Sequence, residues 1–253
     1  MFPYVYQSSS ITIGTYGVML AIAYLTGRYL YITRLEQVCK KPINTELLII
    51  LLLVFGVIGA KLMYVLKNPS EASFSNWGSM LAGSGFSSQG AILAAIIVTI
   101  GFSHYSKASL DKLLDSAAFP AIVAYILARV GCFLAGDECH GKPSDLPWAM
   151  AFPEGIQAVE HTVHPVPLYE IAYSIAIAIG LYSLQKQQRA PYVLFFSLLL
   201  SWGICRFLVE FVSANEIKLL GMTGSQFGAL LMFLAAVAFF TFRQIYSGQK
   251  KAG

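Results

Sequence analysis

Charged side chains inside apolar segments cost roughly 2.5–3.5 kcal/mol each near a bilayer centre, so they are functional candidates by default. Arg129, Arg206 and Glu210 are such residues, and Lys61, Glu170, Gln89, Tyr16 and Tyr169 are polar companions in other apolar stretches. Arg206 and Glu210 stand four residues apart, on one helical face, where they can form an ion pair. By itself that pair suits a self-neutralising structural role as well as a functional one. It leaves Arg129 and Lys61 uncompensated. A guanidinium fork grips phosphate with paired hydrogen bonds, so cations at headgroup depth suit an anionic phospholipid. Lys61, close to the end of a span, also has the simpler option of snorkelling to the interface. Gln89 sits in the stretch Gly83-Ser84-Gly85-Phe86-Ser87-Ser88-Gln89-Gly90-Ala91. Small residues there permit close approach of helices or of backbone to a ligand. The amide can donate to a phosphate or ester oxygen but cannot serve as a general base.

The elements that must position these groups are membrane spans. Of 253 residues, 57% are apolar and 12% are Asp, Glu, Lys or Arg, against roughly 25% charge in soluble domains. A mean hydropathy of +0.64 excludes a soluble globule. Apolar runs long enough to cross a bilayer occur at about 11–31, 46–66, 84–104, 113–135, 166–184, 190–213 and 219–243, and lipid leaves helices as the workable form. The expectation is an all-α polytopic membrane protein, a single domain over 1–253, with seven transmembrane helices. The first ten residues contain no Lys or Arg, so they lack the start of a cleavable signal peptide and the first run is expected to stay as a span.

Placing the N-terminus outside puts eleven basic residues (Arg28, Arg34, Lys40, Lys41, Lys107, Lys112, Lys186, Arg189, Arg243, Lys250 and Lys251) on the cytoplasmic side and leaves three, Lys67, Lys142 and Lys218, outside. The positive-inside rule then sets the C-terminus in the cytoplasm. In this orientation Lys61, Arg129, Arg206 and Glu210 come late in outward-running helices, while Tyr16, Gln89, Tyr169 and Glu170 come early in inward-running ones. All reach one layer in the outer half of the bilayer. Scattered structural polar residues have no reason to choose one leaflet.

The long external connection, about 136–165, holds Asp137, His140, His161 and His164 among its polar residues; long loops often carry function. The four cysteines, Cys39, Cys132, Cys139 and Cys205, match no metal-binding spacing, and the sequence leaves open whether Cys132 and Cys139 pair. No metal or other cofactor is expected, and no basic block suits nucleic acid.

The stretch Ala128-Arg129-Val130-Gly131-Cys132-Phe133-Leu134-Ala135-Gly136-Asp137, followed by Gly141-Lys142-Pro143-Ser144-Asp145-Leu146-Pro147-Trp148-Ala149-Met150 and Phe152-Pro153, resembles the signature region of bacterial prolipoprotein diacylglyceryl transferases. His164-Pro165 with Leu168-Tyr169-Glu170, Arg206-Phe207-Leu208-Val209-Glu210-Phe211 and Tyr16-Gly17 match in order, so the resemblance covers most of the chain. It implies seven helices with an external N-terminus in the bacterial cytoplasmic (inner) membrane. The implied reaction transfers diacylglyceryl from phosphatidylglycerol to a lipoprotein precursor's lipobox cysteine. Arg129 matches the headgroup arginine, Arg206 the second essential arginine with Glu210 its neighbour, Tyr16 a first-helix tyrosine and Gly141 the closing glycine of the motif. Asp137 stands where Glu is usual. The family's His-Gly-Gly is Gln89-Gly90-Ala91 here, its Asn is Cys132, the Tyr before the second arginine is Trp202, and one extra residue separates Asp137 from Gly141, which marks a divergent branch.

On this reading Arg129 and Arg206 stabilise the departing phosphate. Gln89 takes no proton, so a carboxylate or imidazole such as Glu210, His140 or His164 must receive it. Two rivals stay open: a related lipid transferase with another acceptor or donor headgroup, and a non-catalytic lipid-binding or transport protein. Few polar residues continue into the inner leaflet, which disfavours transport.

Overall fold

The computed structural model describes all residues except 9–11, 40–42, 68–86, 188, 189, 216, 220 and 253. Gly83 to Phe86, which open the third expected span, and Lys40, Lys41 and Arg189 of the charge count lie outside the described residues. Seven long helices are described: α1 (Thr15–Val38), α2 (Thr45–Lys67), α3 (Ser88–Ser106), α4 (Leu110–Ala135), α5 (Val166–Gln185), α6 (Val193–Val209) and α7 (Gly224–Ala252). Three antiparallel hairpins accompany them: β1 (Tyr4–Gln7) with β2 (Thr12–Gly14), β3 (Met150–Phe152) with β4 (Val159–Val163), and β5 (Ile217–Leu219) with β6 (Met222–Thr223). Five helices, α2, α3, α4, α5 and α7, are long and apolar enough to cross a membrane. The chain is a helical, polytopic membrane protein.

The helix ends depart from the hydropathy runs for local reasons. α1 begins four residues later than expected because 12–14 pair as β2, and it continues to Val38. Arg34 and Glu36 follow the apolar run without ending the helix, since Arg and Glu are good helix formers. α6 is shorter than its run at 17 residues. α7 starts at Gly224, after a hairpin that occupies the front of the expected seventh run. Its start is a capping box: Gln226 N–H donates to Thr223 Oγ1 at 3.1 Å and Thr223 N–H donates to Gln226 Oε1 at 3.0 Å.

The chain divides into two compact units, Met1–Tyr31 with Asp115–Gly253, and Ile32–Leu114. In the first, Ala118 and Ile122 of α4, Ile177, Ala178 and Leu181 of α5 and Leu194 of α6 form a buried core, flanked by Tyr125, Tyr173 and Trp202. Asp115 Oδ1 accepts from Phe195 N–H at 2.9 Å, capping α6 from the first turns of α4. Arg129 lies about 21 Å along α4 from that contact and Arg206 about 17 Å along α6, at 1.5 Å rise per residue. The capping contact therefore sets both arginines at similar height.

In the second unit, α2 and α3 meet at Gly59 and Gly90. A Cβ on Gly90 would come within 2.1 Å of the Gly59 carbonyl oxygen and 2.5 Å of Met63 Cβ. The turn into α3 is tied by Ser87 N–H donating to the Ala60 carbonyl at 3.0 Å. α2 is capped by Asn44, whose Oδ1 accepts from Leu47 N–H at 3.0 Å.

Candidate active site

The polar residues of the first unit converge on Glu170. This residue opens α5 just after Pro165-Val166-Pro167, where prolines suit a first helical turn. Its carboxylate is fully buried. Arg129 Nε of α4 lies 2.5 Å from Glu170 Oε2, and Arg206 Nη1 of α6 donates to Glu170 Oε1. One carboxylate thus bridges guanidinium groups from two helices.

The Arg206–Glu210 pair anticipated from their spacing forms, with Nη2 at 2.9 Å from Oε2. Glu210 is also buried, and its other oxygen accepts from Thr223 Oγ1 and Asn215 Nδ2, each at 2.7 Å. Arg206 Nη2 donates to Ser225 Oγ at 3.2 Å. Thr223, Ser225 and Asn215 were not singled out from the sequence. The Thr-x-x-Gln capping box at 223–226 was the available signal for the first two: it fixes the start of α7 beside Glu210, where the positive end of the helix dipole favours an anion. Two cations and two anions make the network neutral. Burial of this set is tolerable only because each ion meets a partner of opposite sign.

Arg129 has a second set of neighbours. Its guanidinium lies 5.0 Å from the centroid of the Tyr125 ring, a cation–π distance. Nη1 donates to Cys139 Sγ at 3.2 Å and to Cys132 Sγ at 3.7 Å. Tyr16 of α1 is close enough to Arg129, Cys132, Asp137 and Cys139 to interact with them electrostatically, and its ring packs on α4 at Gly131. Tyr125 in turn meets Trp202 edge-on, with centroids 5.6 Å apart.

The connection between α4 and α5 is ordered around two glycines. Gly136 has φ +60, a left-handed conformation that side chains with a Cβ disfavour. It reverses the chain after α4, and Asp137 Oδ1 then accepts from Cys139 N–H at 3.0 Å. Gly141 is threaded between two strands of backbone. A Cβ there would lie 2.4 Å from the Val212 carbonyl oxygen and 2.7 Å from His164 Cβ. Its N–H donates to the His164 carbonyl at 2.8 Å, and Lys142 N–H donates to the Val212 carbonyl at 2.9 Å. The loop is therefore stitched at once to the end of α6 and the start of α5, the segments that carry Glu210 and Glu170.

His164 Nδ1 lies 3.2 Å from Tyr169 Oη, which accepts from Trp148 Nε1 at 2.7 Å. Trp148 is a further residue of the site, one that the sequence reading named only within the matched motif. His140 stacks on Phe152 with ring centroids 6.1 Å apart, and neither of its buried ring nitrogens has a hydrogen-bond partner. Lys61, Gln89 and Gly90 belong to the second unit. Lys61 Nζ lies 5.7 Å from the Tyr64 ring centroid, and Gln89 and Gly90 form the first turn of α3 against α2.

One grouping adds to the cysteine reading. The spacing of Cys132, Asp137 and Cys139 fits no metal motif, yet one donor atom from each lies within 4.8 Å of the others. The turn at Gly136 brings them together.

Residues 3–242 match the family described as prolipoprotein diacylglyceryl transferase. Curated relatives carry the name phosphatidylglycerol–prolipoprotein diacylglyceryl transferase. One from Dehalococcoides mccartyi is 27% identical over 248 residues, 96% of this chain and 94% of the relative. One from Bordetella avium is 30% identical over 255 residues, covering 94% and 93%, and one from Bordetella parapertussis is 28% identical over 257 residues, covering 95% and 94%.

Proposed function

The chain belongs to the prolipoprotein diacylglyceryl transferase family, and from that membership we propose that it transfers diacylglyceryl from phosphatidylglycerol to the cysteine thiol of a lipoprotein precursor. It is a transferase whose curated relatives carry that activity in their names. The observation that supports the assignment of roles is the bridging of Arg129 and Arg206 by one buried carboxylate. In the reaction the sulfur forms a bond to a glycerol carbon, the carbon–oxygen bond to phosphate breaks, and glycerol phosphate leaves with the electron pair. Negative charge builds on the leaving phosphate. Preoriented guanidinium groups in a dry site stabilise such charge strongly.

Glu170 and Glu210 are positioning residues on this reading. Each is already engaged by guanidinium groups, and Glu210 by Thr223 and Asn215 as well, which commits both to holding the arginines. The thiol proton therefore goes to an imidazole of the connecting loop, His140 or His164. Tyr16, Cys132, Asp137, Gly141 and Tyr169 shape the surroundings of the phosphate; in the second unit, the sequence reading alone proposes Gln89 as a catalytic residue and Lys61 and Gly90 as substrate-binding ones.

The proposal includes a single membrane-embedded domain of seven spans in the bacterial cytoplasmic membrane, with the N-terminus outside, the C-terminus in the cytoplasm and the site facing the outer leaflet. α6, at 17 residues, reaches about 26 Å, close to the ~30 Å hydrocarbon thickness. The supporting argument is the distribution of basic residues.

Expression in bacteria depleted of their own transferase tests the proposal. Restored lipoprotein maturation, with a diacylglyceryl thioether in the mass spectrum of a reporter lipoprotein, is expected. Accumulation of unmodified precursor despite membrane insertion of the protein would reject it. A lipid adduct on another acceptor would assign a related transfer instead.

A further inference from the structure

Cys132, Asp137 and Cys139 line the surroundings of Arg129, and no step of the transfer draws on their sulfur and carboxylate donor atoms. Their sulfurs are 3.6 Å apart. In a tetrahedral site with metal–sulfur bonds of ~2.3 Å, two sulfurs stand ~3.8 Å apart, so the pair already has the spacing of one edge of that tetrahedron. A disulfide needs ~2.05 Å, and the sulfurs would have to close by about 1.5 Å. Asp137 Oδ1 is engaged by Cys139 N–H, which orients the carboxylate, and one oxygen of it lies within 4.8 Å of both sulfurs. Cys132 is buried, and Asp137 and Cys139 are half-buried. Arg129 Nη1 is within reach of both sulfurs.

We propose that Cys132, Asp137 and Cys139 bind a thiophilic divalent cation of the zinc class. Two sulfurs and one carboxylate oxygen select such an ion over magnesium or calcium, which prefer all-oxygen sets. Binding of M2+ displaces two thiol protons, leaving the metal with two thiolates and one carboxylate at net charge −1, which Arg129 offsets. The trio supplies three ligands of a four-coordinate site. The fourth position then belongs to water or to an incoming ligand, an arrangement suited to binding rather than to a closed structural staple.

The test uses the purified full-length protein in detergent, stripped with chelator, loaded with Zn2+ or Co2+ and desalted. About one equivalent of metal is expected in the parent by elemental mass spectrometry, and less than a tenth of that in a Cys132→Ser, Cys139→Ser double variant. Asp137→Asn is expected to weaken affinity tenfold or more. Co2+ is expected to give a sulfur-to-metal charge-transfer band in the parent, a signature that requires thiolate ligands and decides the matter even if the double variant fails to fold. The inference is overturned if the parent retains no metal, if the double variant retains as much as the parent, or if cobalt binds without the charge-transfer band. It is equally overturned if the unreduced parent titrates two free thiols rather than four, because a disulfide would occupy the sulfurs. None of these readouts depends on transfer activity.

Discussion

Replacing Glu170 by Gln removes one charge and little volume from the centre of the site. The four-residue network then changes from neutral to +1. Arg129 loses its carboxylate partner, whereas Arg206 retains Glu210 at 2.9 Å. Breaking a buried ion pair by removing one member costs about 3–5 kcal/mol. Arg129 keeps 18% of its side-chain surface exposed and can turn partly to solvent, which points to the lower end, about 3 kcal/mol. For a chain of this length each kcal/mol moves the midpoint by roughly 2–4 °C, so Glu170→Gln is expected to lower Tm by about 6–12 °C. Thermal unfolding in detergent, followed by tryptophan fluorescence, measures this. Glu210→Gln serves as the comparison: its amide oxygen can still accept from Thr223 and Asn215, so a smaller loss of about 1–3 kcal/mol is expected. A Glu170→Gln protein within 2 °C of the parent, or more stable than it, would refute the reasoning that this carboxylate holds the two arginines.

Gly141→Ala forces a methyl group against the Val212 carbonyl and His164 Cβ; a stability loss of about 1–3 kcal/mol and a parallel loss of transfer are expected from unfolding and activity measurements. Thr223→Val keeps the shape but deletes a donor to Glu210 and the cap of α7, with an expected cost of about 1–3 kcal/mol seen as a lower Tm. Gly90→Ala separates α2 from α3, and a lower Tm with slower helix-protected hydrogen exchange lost around residues 88–94 is the outcome to check. His140→Gln and His164→Gln distinguish the proton acceptor: the variant that removes it is expected to lose transfer at least a hundredfold in the peptide assay, while the other retains it.

Much of the fold was legible because lipid leaves few options, and apolar runs mark helices whatever their order in space. The ends were less legible. The first apolar run stops at about residue 31, but the α1 backbone continues through Arg34 and Glu36 to Val38, and the strands are too short, at two to five residues, to show a reliable alternation. Within the site, Arg206 and Glu210 could be paired in advance because helical spacing alone brings them together. The bridging role of Glu170 could not, since it depends on contacts across 41 and 36 residues to Arg129 and Arg206. The cysteine–aspartate trio was hidden for another reason: its geometry is made by one left-handed glycine at 136, not by a recognisable interval.

The central claim is that Arg129 and Arg206 act together on the phosphate of an anionic phospholipid during diacylglyceryl transfer. Purified protein, phosphatidylglycerol and a lipobox peptide, with thioether product followed by mass spectrometry, measure it most directly in Arg129→Gln, Arg206→Gln and the double variant. Turnover by the parent and a loss of at least a hundredfold in each single variant, with folding confirmed separately, is the predicted result. Undiminished turnover in the folded double variant would contradict it.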